Sequence, residues 1–149
     1  MIVDPVTGEV RTLARSWADL RARAEAYRQA DPETPEAIDR ELRSIESLGF
    51  EVADFYKSAL DAQYEAEKFY SAVKNKALAK HSESKRSVAA VRALAEVDAA
   101  DAFGEWLNAK AIVKHVQEIL QALRSKHIGL QATKRGIDSM IGAHHRRGA

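Results

Sequence analysis

Apolar residues recur at spacings of three and four over most of this chain, and no other feature restricts its fold as strongly. From Pro35 to about Lys80, the positions of one stripe are Leu42, Ile45, Val52, Tyr56, Ala59, Ala66, Tyr70, Val73 and Ala77. A neighbouring stripe consists of Leu48, Phe55, Ala62 and Phe69. Together they form an apolar face wider than a two-stranded coiled-coil seam. The pattern predicts one helix about 65 Å long, because each helical residue advances the axis by about 1.5 Å.

The same spacing resumes after a short break at residues 81–84 and continues almost to the C-terminus. Its apolar positions are Val88, Val91, Ala95, Ala99, Ala102, Trp106, Val113, Val116, Leu120, Leu123, Leu130, Ile137 and Ile141. The members predicted to pack in the core or between subunits are Trp106, Val113, Val116, Leu120 and Leu123. The glycines that interrupt this pattern are candidate positions for a kink or a close helix approach: Gly104, Gly129 and Gly136.

Capping residues indicate where the long helices begin. Thr34 is a favourable N-cap, and Pro35 suits the first helical position because its missing N–H would be unpaired there in any case. After the break, Ser82 or Ser84 is predicted to cap the third helix, with Glu83 in its first turn. These signals place one helix start at residue 35 and the next within the break.

The remaining segments complete the layout of the chain. Residues 1–11 carry turn signals between short β-branched pieces and predict an extended or hairpin-like N-terminal arm. Residues 12–31 predict an N-terminal helix. Its apolar stripe is Leu13, Trp17, Leu20, Ala24 and Tyr27. Residues 35–142 predict a long helical hairpin with its turn near 81–84, and residues 143–149 predict a flexible tail that frays.

The short break determines the expected arrangement of the two long helices. A connection of this length predicts that the helices fold back as antiparallel neighbours. Two helices cannot bury stripes of this width, and the N-terminal helix would cover only part of them. Further copies of the chain are expected to cover the rest. The predicted fold is therefore all-α, a long antiparallel helical hairpin with an additional N-terminal helix, assembled into a homo-oligomer.

The residue types present exclude several kinds of site. The chain has no cysteine, so a disulfide framework and a thiolate zinc site are both ruled out. No apolar run approaches the roughly 20 residues that a membrane span needs, and the N-terminus lacks the layout of a signal peptide. We therefore expect a soluble, cytoplasmic protein with no membrane partner.

No constellation of catalytic residues is recognisable in the sequence. His115 and His127 are too far apart to share one helical site, and no Glu-x-x-His pair is present that could build a helical di-iron site. Asp98, Asp101 and Glu105 share one helical face and could hold a divalent cation, although such a strip is more often solvated or paired with a basic neighbour. We expect no enzymatic activity, no cofactor and no metal.

Charge is segregated along the chain, although its net value is only +1. Residues 31–72 contain four cations against eleven acids, whereas residues 73–92 contain six cations against one acid. The six cations, which we call the basic turn, are Lys74, Lys76, Lys80, Lys85, Arg86 and Arg92. Lys85 and Arg86 would lie at the start of the third helix, where a cation interacts unfavourably with the helix dipole. We therefore expect these residues to serve a purpose other than the stability of that helix. Free N–H groups at that helix start and nearby serine hydroxyls would add donors for an anion. The basic turn therefore fits the phosphates of a nucleic acid, and the alternative is a solvated charged turn.

Three short segments resemble a known family. The segment from Leu120 to Lys126, LQALRSK, is similar to a basic segment near the C-terminus of UvsY-type phage recombination mediators. The segment from Ala72 to Lys76, AVKNK, resembles the basic-x-basic element on the earlier helix of that family. AFGEWL, from Ala102 onward, stands where the family has an aromatic residue before its C-terminal helix. The likeness covers roughly residues 55–135, and the first 50 residues have no counterpart.

The resemblance implies a ring-like homo-oligomer that binds single-stranded DNA and helps to load a strand-exchange recombinase by displacing a single-strand-binding protein. By position, Lys74 and Lys76 would contact DNA, and Arg124 and Lys126 would belong to the assembly or to a second basic helix. The candidate second basic patch is Arg124, Lys126, Lys134 and Arg135. The location implied is the host-cell cytoplasm if the chain is phage-encoded.

Two functions from different classes follow from these observations. The leading prediction is a recombination mediator that binds single-stranded DNA without sequence preference. The alternative is a structural or adaptor helical coiled-coil protein, for example a component of a phage particle, with no role in binding nucleic acid. In that alternative the basic turn pairs with the acidic block of a neighbouring subunit.

Overall fold

The computed structural model describes residues 2–3, 10–11, 13–83 and 86–147. The helices are α1 (Leu13–Gln29), α2 (Pro35–Ser82), α3 (Val88–Asp98) and α4 (Ala100–Arg147). Two short strands, β1 (Ile2–Val3) and β2 (Val10–Arg11), precede them and pair antiparallel. Helices account for nearly all of the described chain, so the predicted all-α class is confirmed.

The start of α2 follows the predicted capping chemistry. Thr34 Oγ1 accepts a hydrogen bond from the backbone N–H of Ala37 at 3.2 Å, and its carbonyl accepts from the N–H of Ile38 at 2.9 Å. Pro35 is the first helical residue, and Glu36 places an acid in the first turn. The cap therefore satisfies donors that a helix start leaves unpaired, and the carboxylate complements the helix dipole.

The start of α3 differs from the prediction. Ser87 is its N-cap, with Oγ accepting from the backbone N–H of Ala90 at 3.3 Å, and Val88 is the first helical residue. Ser82 instead belongs to the last turn of α2, where its Oγ donates to the carbonyl of Ala79 at 2.7 Å. The prediction that Ser82 caps the third helix is therefore wrong, and Ser84 lies outside the described residues. Serines near a break are chemically equivalent caps, and only the backbone path decides which one is used.

The predicted third helix is divided into α3 and α4 at Ala99. This residue has φ −98° and ψ 4°, outside the helical range, although its N–H still bonds the carbonyl of Ala95 at 3.1 Å. Its own carbonyl accepts from Phe103 at 2.9 Å, so little hydrogen bonding is lost. The candidate kink positions lie inside the continuous helix α4: Gly104, Gly129 and Gly136. Helix α4 also continues through Arg147, beyond the predicted end at residue 142.

The chain divides into two compact units, and the first comprises Met1–Phe55 and Val116–Ala149. Its largest fully buried side chains are Ile38, Leu48, Val52 and Val116. Trp17 stacks on Phe55 with ring centroids 5.9 Å apart. Arg23 donates two hydrogen bonds to the carboxylate of Glu51, at 2.6 and 2.9 Å. This unit therefore combines an aliphatic core with an aromatic stack and a bidentate ion pair.

The second unit comprises Tyr56–His115. Its buried apolar side chains are mostly alanine: Ala59, Ala77, Val91, Ala95, Ala99, Ala102 and Val113. This unit also contains an aromatic cluster in which Tyr70 and Trp106 stack with ring centroids 5.8 Å apart. Phe103 contacts both rings, at 5.3 and 5.7 Å between centroids. Within the described part of the chain, no helix is both long and apolar enough to cross a membrane.

Candidate nucleic-acid interface

The cations of the basic turn lie in three successive elements of the second unit. Lys74, Lys76 and Lys80 occupy the C-terminal part of α2, and Arg92 lies in α3. Arg86 lies in the connection, directly before the cap of α3, so it does not open the helix as predicted. Lys85 lies outside the described residues.

Lys74 contacts two side chains of its own unit, Tyr70 and Glu96. Its Nζ donates to Tyr70 Oη at 3.3 Å, lies 5.6 Å from the centre of that ring, and is 3.7 Å from Glu96 Oε1. The hydrogen bond to Tyr70, with a smaller contribution from Glu96, raises the pKa of Lys74 above its ordinary value. Lys74 therefore stays charged, but a carboxylate on α3 already compensates part of that charge.

Asp98 engages two side chains from the end of α2. Its Oδ2 lies 3.0 Å from His81 Nε2 and 3.6 Å from Lys80 Nζ. The hydrogen bond with His81, followed by the charge of Lys80, holds the pKa of Asp98 below its ordinary value. Asp98 is thus the acid that ties the end of α2 to α3. Among the described residues no group of three acids, histidines or cysteines is arranged to hold a metal ion, so the strip with Asp101 and Glu105 is not assembled into one.

The other described cations of the basic turn are more available. Lys76, Arg86 and Arg92 are exposed, and none of them makes an ion pair with a described residue. Unpaired charges cost little at a surface, where water solvates them, and they remain free to meet an external anion. Among the residues that the structure describes, the cations of the predicted site therefore divide into Lys74 and Lys80, which have a carboxylate partner there, and Lys76, Arg86 and Arg92, which have none.

An open depression of about 380 Å³ lies beside the connection between α2 and α3. Its lining residues are Leu78, Ala79, Ser82, Arg86, Val88, Val91 and Arg92. Two guanidinium groups therefore border a surface that is otherwise mostly aliphatic. Val88, predicted to be on the buried stripe, is 69% exposed here because it is the first residue after the cap.

The candidate second basic patch is divided by contacts within the first unit. Lys126 Nζ donates to the carbonyl of Ala30, and Lys134 Nζ lies 2.5 Å from Asp39 Oδ1. The hydrogen bond with Asp39 raises the pKa of Lys134. Only Arg124 and Arg135 remain exposed without an ion pair to a described residue. Two of the four predicted cations therefore pair inside the chain and do not form a continuous patch.

The residues predicted for core or subunit packing differ in burial. Val113, Val116 and Leu123 are buried within the single chain, whereas Trp106 and Leu120 are half-buried. Trp106 Nε1 is buried and has no hydrogen-bond partner among the described residues. Packing inside one chain therefore accounts for the buried members without a second subunit.

Sequence reasoning missed Glu96 and Tyr70 as partners of the basic turn, and it named Asp98 only as part of an acidic strip that is solvated or paired with a basic neighbour. A usable signal was present, because residues 93–109 carry four acids and no Lys or Arg directly after the basic segment. Comparison with protein-family models, with curated proteins and with solved structures gives no match for this chain. The UvsY-type resemblance therefore stays a prediction that depends on short motifs.

Proposed function

We propose that this protein binds single-stranded DNA without sequence preference, through Lys76, Arg86 and Arg92. The observation that carries the proposal is that these cations are exposed and have no carboxylate partner among the described residues; Arg86 and Arg92 also line the depression beside the connection between α2 and α3. Lys74 and Lys80 contribute less, because each has a carboxylate within 4 Å, at 3.7 and 3.6 Å.

The chemistry of these side chains explains the expected lack of sequence preference. Guanidinium groups match the oxygens of a phosphate with two parallel hydrogen bonds, and an ammonium group acts as a point charge. Contacts to phosphate position a strand but carry no information about its bases. Each such contact also releases a counterion, so the affinity for a single strand should fall as salt increases.

The mediator role is the larger part of the proposal and comes from the UvsY-type resemblance. In that role, copies of the chain form a ring-like assembly that displaces a single-strand-binding protein and helps to load a recombinase. Exposed apolar side chains of the second unit support self-association, since Leu60, Tyr64 and Phe69 are 39%, 59% and 54% exposed. Several weak phosphate contacts, multiplied across subunits, would then give a useful affinity.

The antiparallel hairpin belongs to the same proposal. Contacts inside the second unit support it, because Tyr70 contacts Trp106 whereas His81, further along α2, contacts Asp98. Lys74 contacts Glu96, so the earlier position on α2 meets α4, whereas the later positions meet α3, which precedes α4 in the chain. This order is the one expected when two helical segments run in opposite directions.

Two lysines on the same helix give a sharp test. Lys76→Ala and Lys74→Ala each remove one positive charge, but only Lys74 has a carboxylate partner among the described residues. Fluorescence anisotropy of a labelled oligo-dT at several salt concentrations should show a lower affinity for Lys76→Ala. Its log–log salt slope should be shallower by about 0.7, the value for one lost phosphate contact on a single strand. Lys74→Ala should change both quantities less.

The matched control is Lys68→Ala, which removes a cation of the same unit that pairs with Glu65 at 3.1 Å. It should bind oligo-dT as the unmodified protein does. Equal binding by Lys76→Ala and the unmodified protein, with circular dichroism unchanged, would reject the assigned residues.

One observation favours the structural or adaptor alternative. Lys74 and Lys80 already pair with carboxylates of the same chain, so this surface is able to accept acidic groups of a neighbouring subunit as well. The alternative predicts no oligonucleotide binding even at low salt. It also predicts that the Lys76→Ala variant assembles less completely in light-scattering measurements.

A further inference from the structure

The depression between α2 and α3 combines two chemistries that one ligand would have to satisfy together. Its aliphatic lining includes Val91, which is buried, Leu78, which is half-buried, and Ala79 and Val88, which are exposed. Arg86 and Arg92 also line the depression and supply positive charge on a surface that is otherwise mostly aliphatic; the described lining includes no carboxylate.

We propose that this depression receives one base of a bound DNA strand, while Arg86 and Arg92 contact phosphates of the same strand. The proposal rests on the proposed function and specifies which part of a nucleotide the depression binds, namely the base. A volume of about 380 Å³ falls within the range of about 300 to 1,000 Å³ that is typical of small-molecule sites.

The polarity of the lining fits a base of any identity. The one hydroxyl among the described lining residues belongs to Ser82, and its hydrogen is already donated to the carbonyl of Ala79 at 2.7 Å. Aliphatic side chains contact the face of a base without reading its edge, whereas sequence is read by hydrogen bonds to base edges. The bases of a duplex are stacked and paired, so the depression should bind an unpaired base and not a base pair. It should do so without preference for one base.

Two oligonucleotides of equal length and charge separate the base from the phosphates. One is oligo-dT, and the other has the same sugar-phosphate backbone with abasic sites throughout. The unmodified protein should bind the abasic strand about tenfold more weakly in fluorescence anisotropy. A change of that size corresponds to removing roughly 55 Å² of apolar surface from water.

A variant that fills the depression provides the second arm. Ala79 is exposed on α2, so Ala79→Leu adds volume there without changing charge, and leucine is a good helix former. It should bind oligo-dT about tenfold more weakly, and it should no longer distinguish oligo-dT from the abasic strand. The matched control is Ala72→Leu, an exposed position on the same face two helical turns earlier that is not part of the lining. It should behave as the unmodified protein does.

The outcomes distinguish this inference from the proposed function. If the unmodified protein binds both strands equally well, the base has no role and the inference fails, while DNA binding by the cations stands. If neither strand binds at low salt, the proposed function fails and the inference fails with it. Unchanged discrimination in Ala79→Leu would also overturn the inference. The inference would be overturned as well if a peptide of alternating Glu and Leu displaced oligo-dT at a lower concentration than thymidine monophosphate does. The depression would then be a site for a protein segment.

Discussion

Leu48 and Phe50 lie two residues apart on α2 and provide a direct test of where the core of the first unit lies. Leu48 is 0% exposed, whereas Phe50 is 75% exposed. Leu48→Ala removes about three methylene equivalents at about 0.8 kcal/mol each, and the cavity that remains adds to the loss. We expect a decrease of about 3 kcal/mol in the free energy of unfolding of this unit. Phe50→Ala removes a larger side chain but should change stability by less than about 0.5 kcal/mol, because the ring is already in water.

The assay must report on the first unit alone. The chain has two tryptophans, Trp17 in the first unit and Trp106 in the second. In a Trp106→Phe background, the fluorescence of Trp17, stacked on Phe55, therefore follows urea unfolding of the first unit. With a denaturant dependence of about 2 kcal/mol per molar urea, Leu48→Ala should lower the transition midpoint by about 1.5 M.

Two results would refute this reasoning. A loss below about 1 kcal/mol for Leu48→Ala would mean that the position is not enclosed by well-packed neighbours. An equal loss for Phe50→Ala would mean that the ring is covered in solution, and a dependence of the midpoint on protein concentration would then assign the cover to another copy of the chain.

Other contacts give further expected outcomes. Ser87→Ala removes the N-cap of α3 and should cost about 1 kcal/mol in urea unfolding followed by circular dichroism, whereas no loss would mean that another group caps the helix. A double-mutant cycle on Arg23 and Glu51 should give a coupling free energy of only about 0.5 to 1 kcal/mol, since both side chains are nearly half exposed at 40% and 46%. The hydrogen bonds from Arg23 lower the pKa of Glu51, and the hydrogen bond with His81 lowers the pKa of Asp98. Both contributions to stability should therefore be present above the unfolded pKa of about 4 and be lost as the pH falls through the lower folded values. Unfolding midpoints between neutral and acidic pH should show this loss, and Asp98→Asn should reduce it.

The sequence determined the positions of the helices to a large extent, because capping and periodicity are local properties. Thr34 and Pro35 fixed the start of α2 through one hydroxyl and one missing N–H. The apolar spacing correctly indicated buried positions on α2 such as Ile45, Val52 and Ala59. These features follow from neighbours within one or two turns, so a linear pattern contains the information.

The tertiary structure decided which cations are left for a ligand. Lys74 and Lys76 look equivalent in the sequence, yet Glu96 lies 3.7 Å from Lys74, and Lys76 has no such partner among the described residues. It also decided the break at Ala99 and the exposure of Val88, which the periodic pattern placed in a continuous buried stripe. The physical reason is that side chains from distant parts of the chain meet according to the register in which helices pack. That register is set by the whole packed unit, and no local stretch of sequence encodes it.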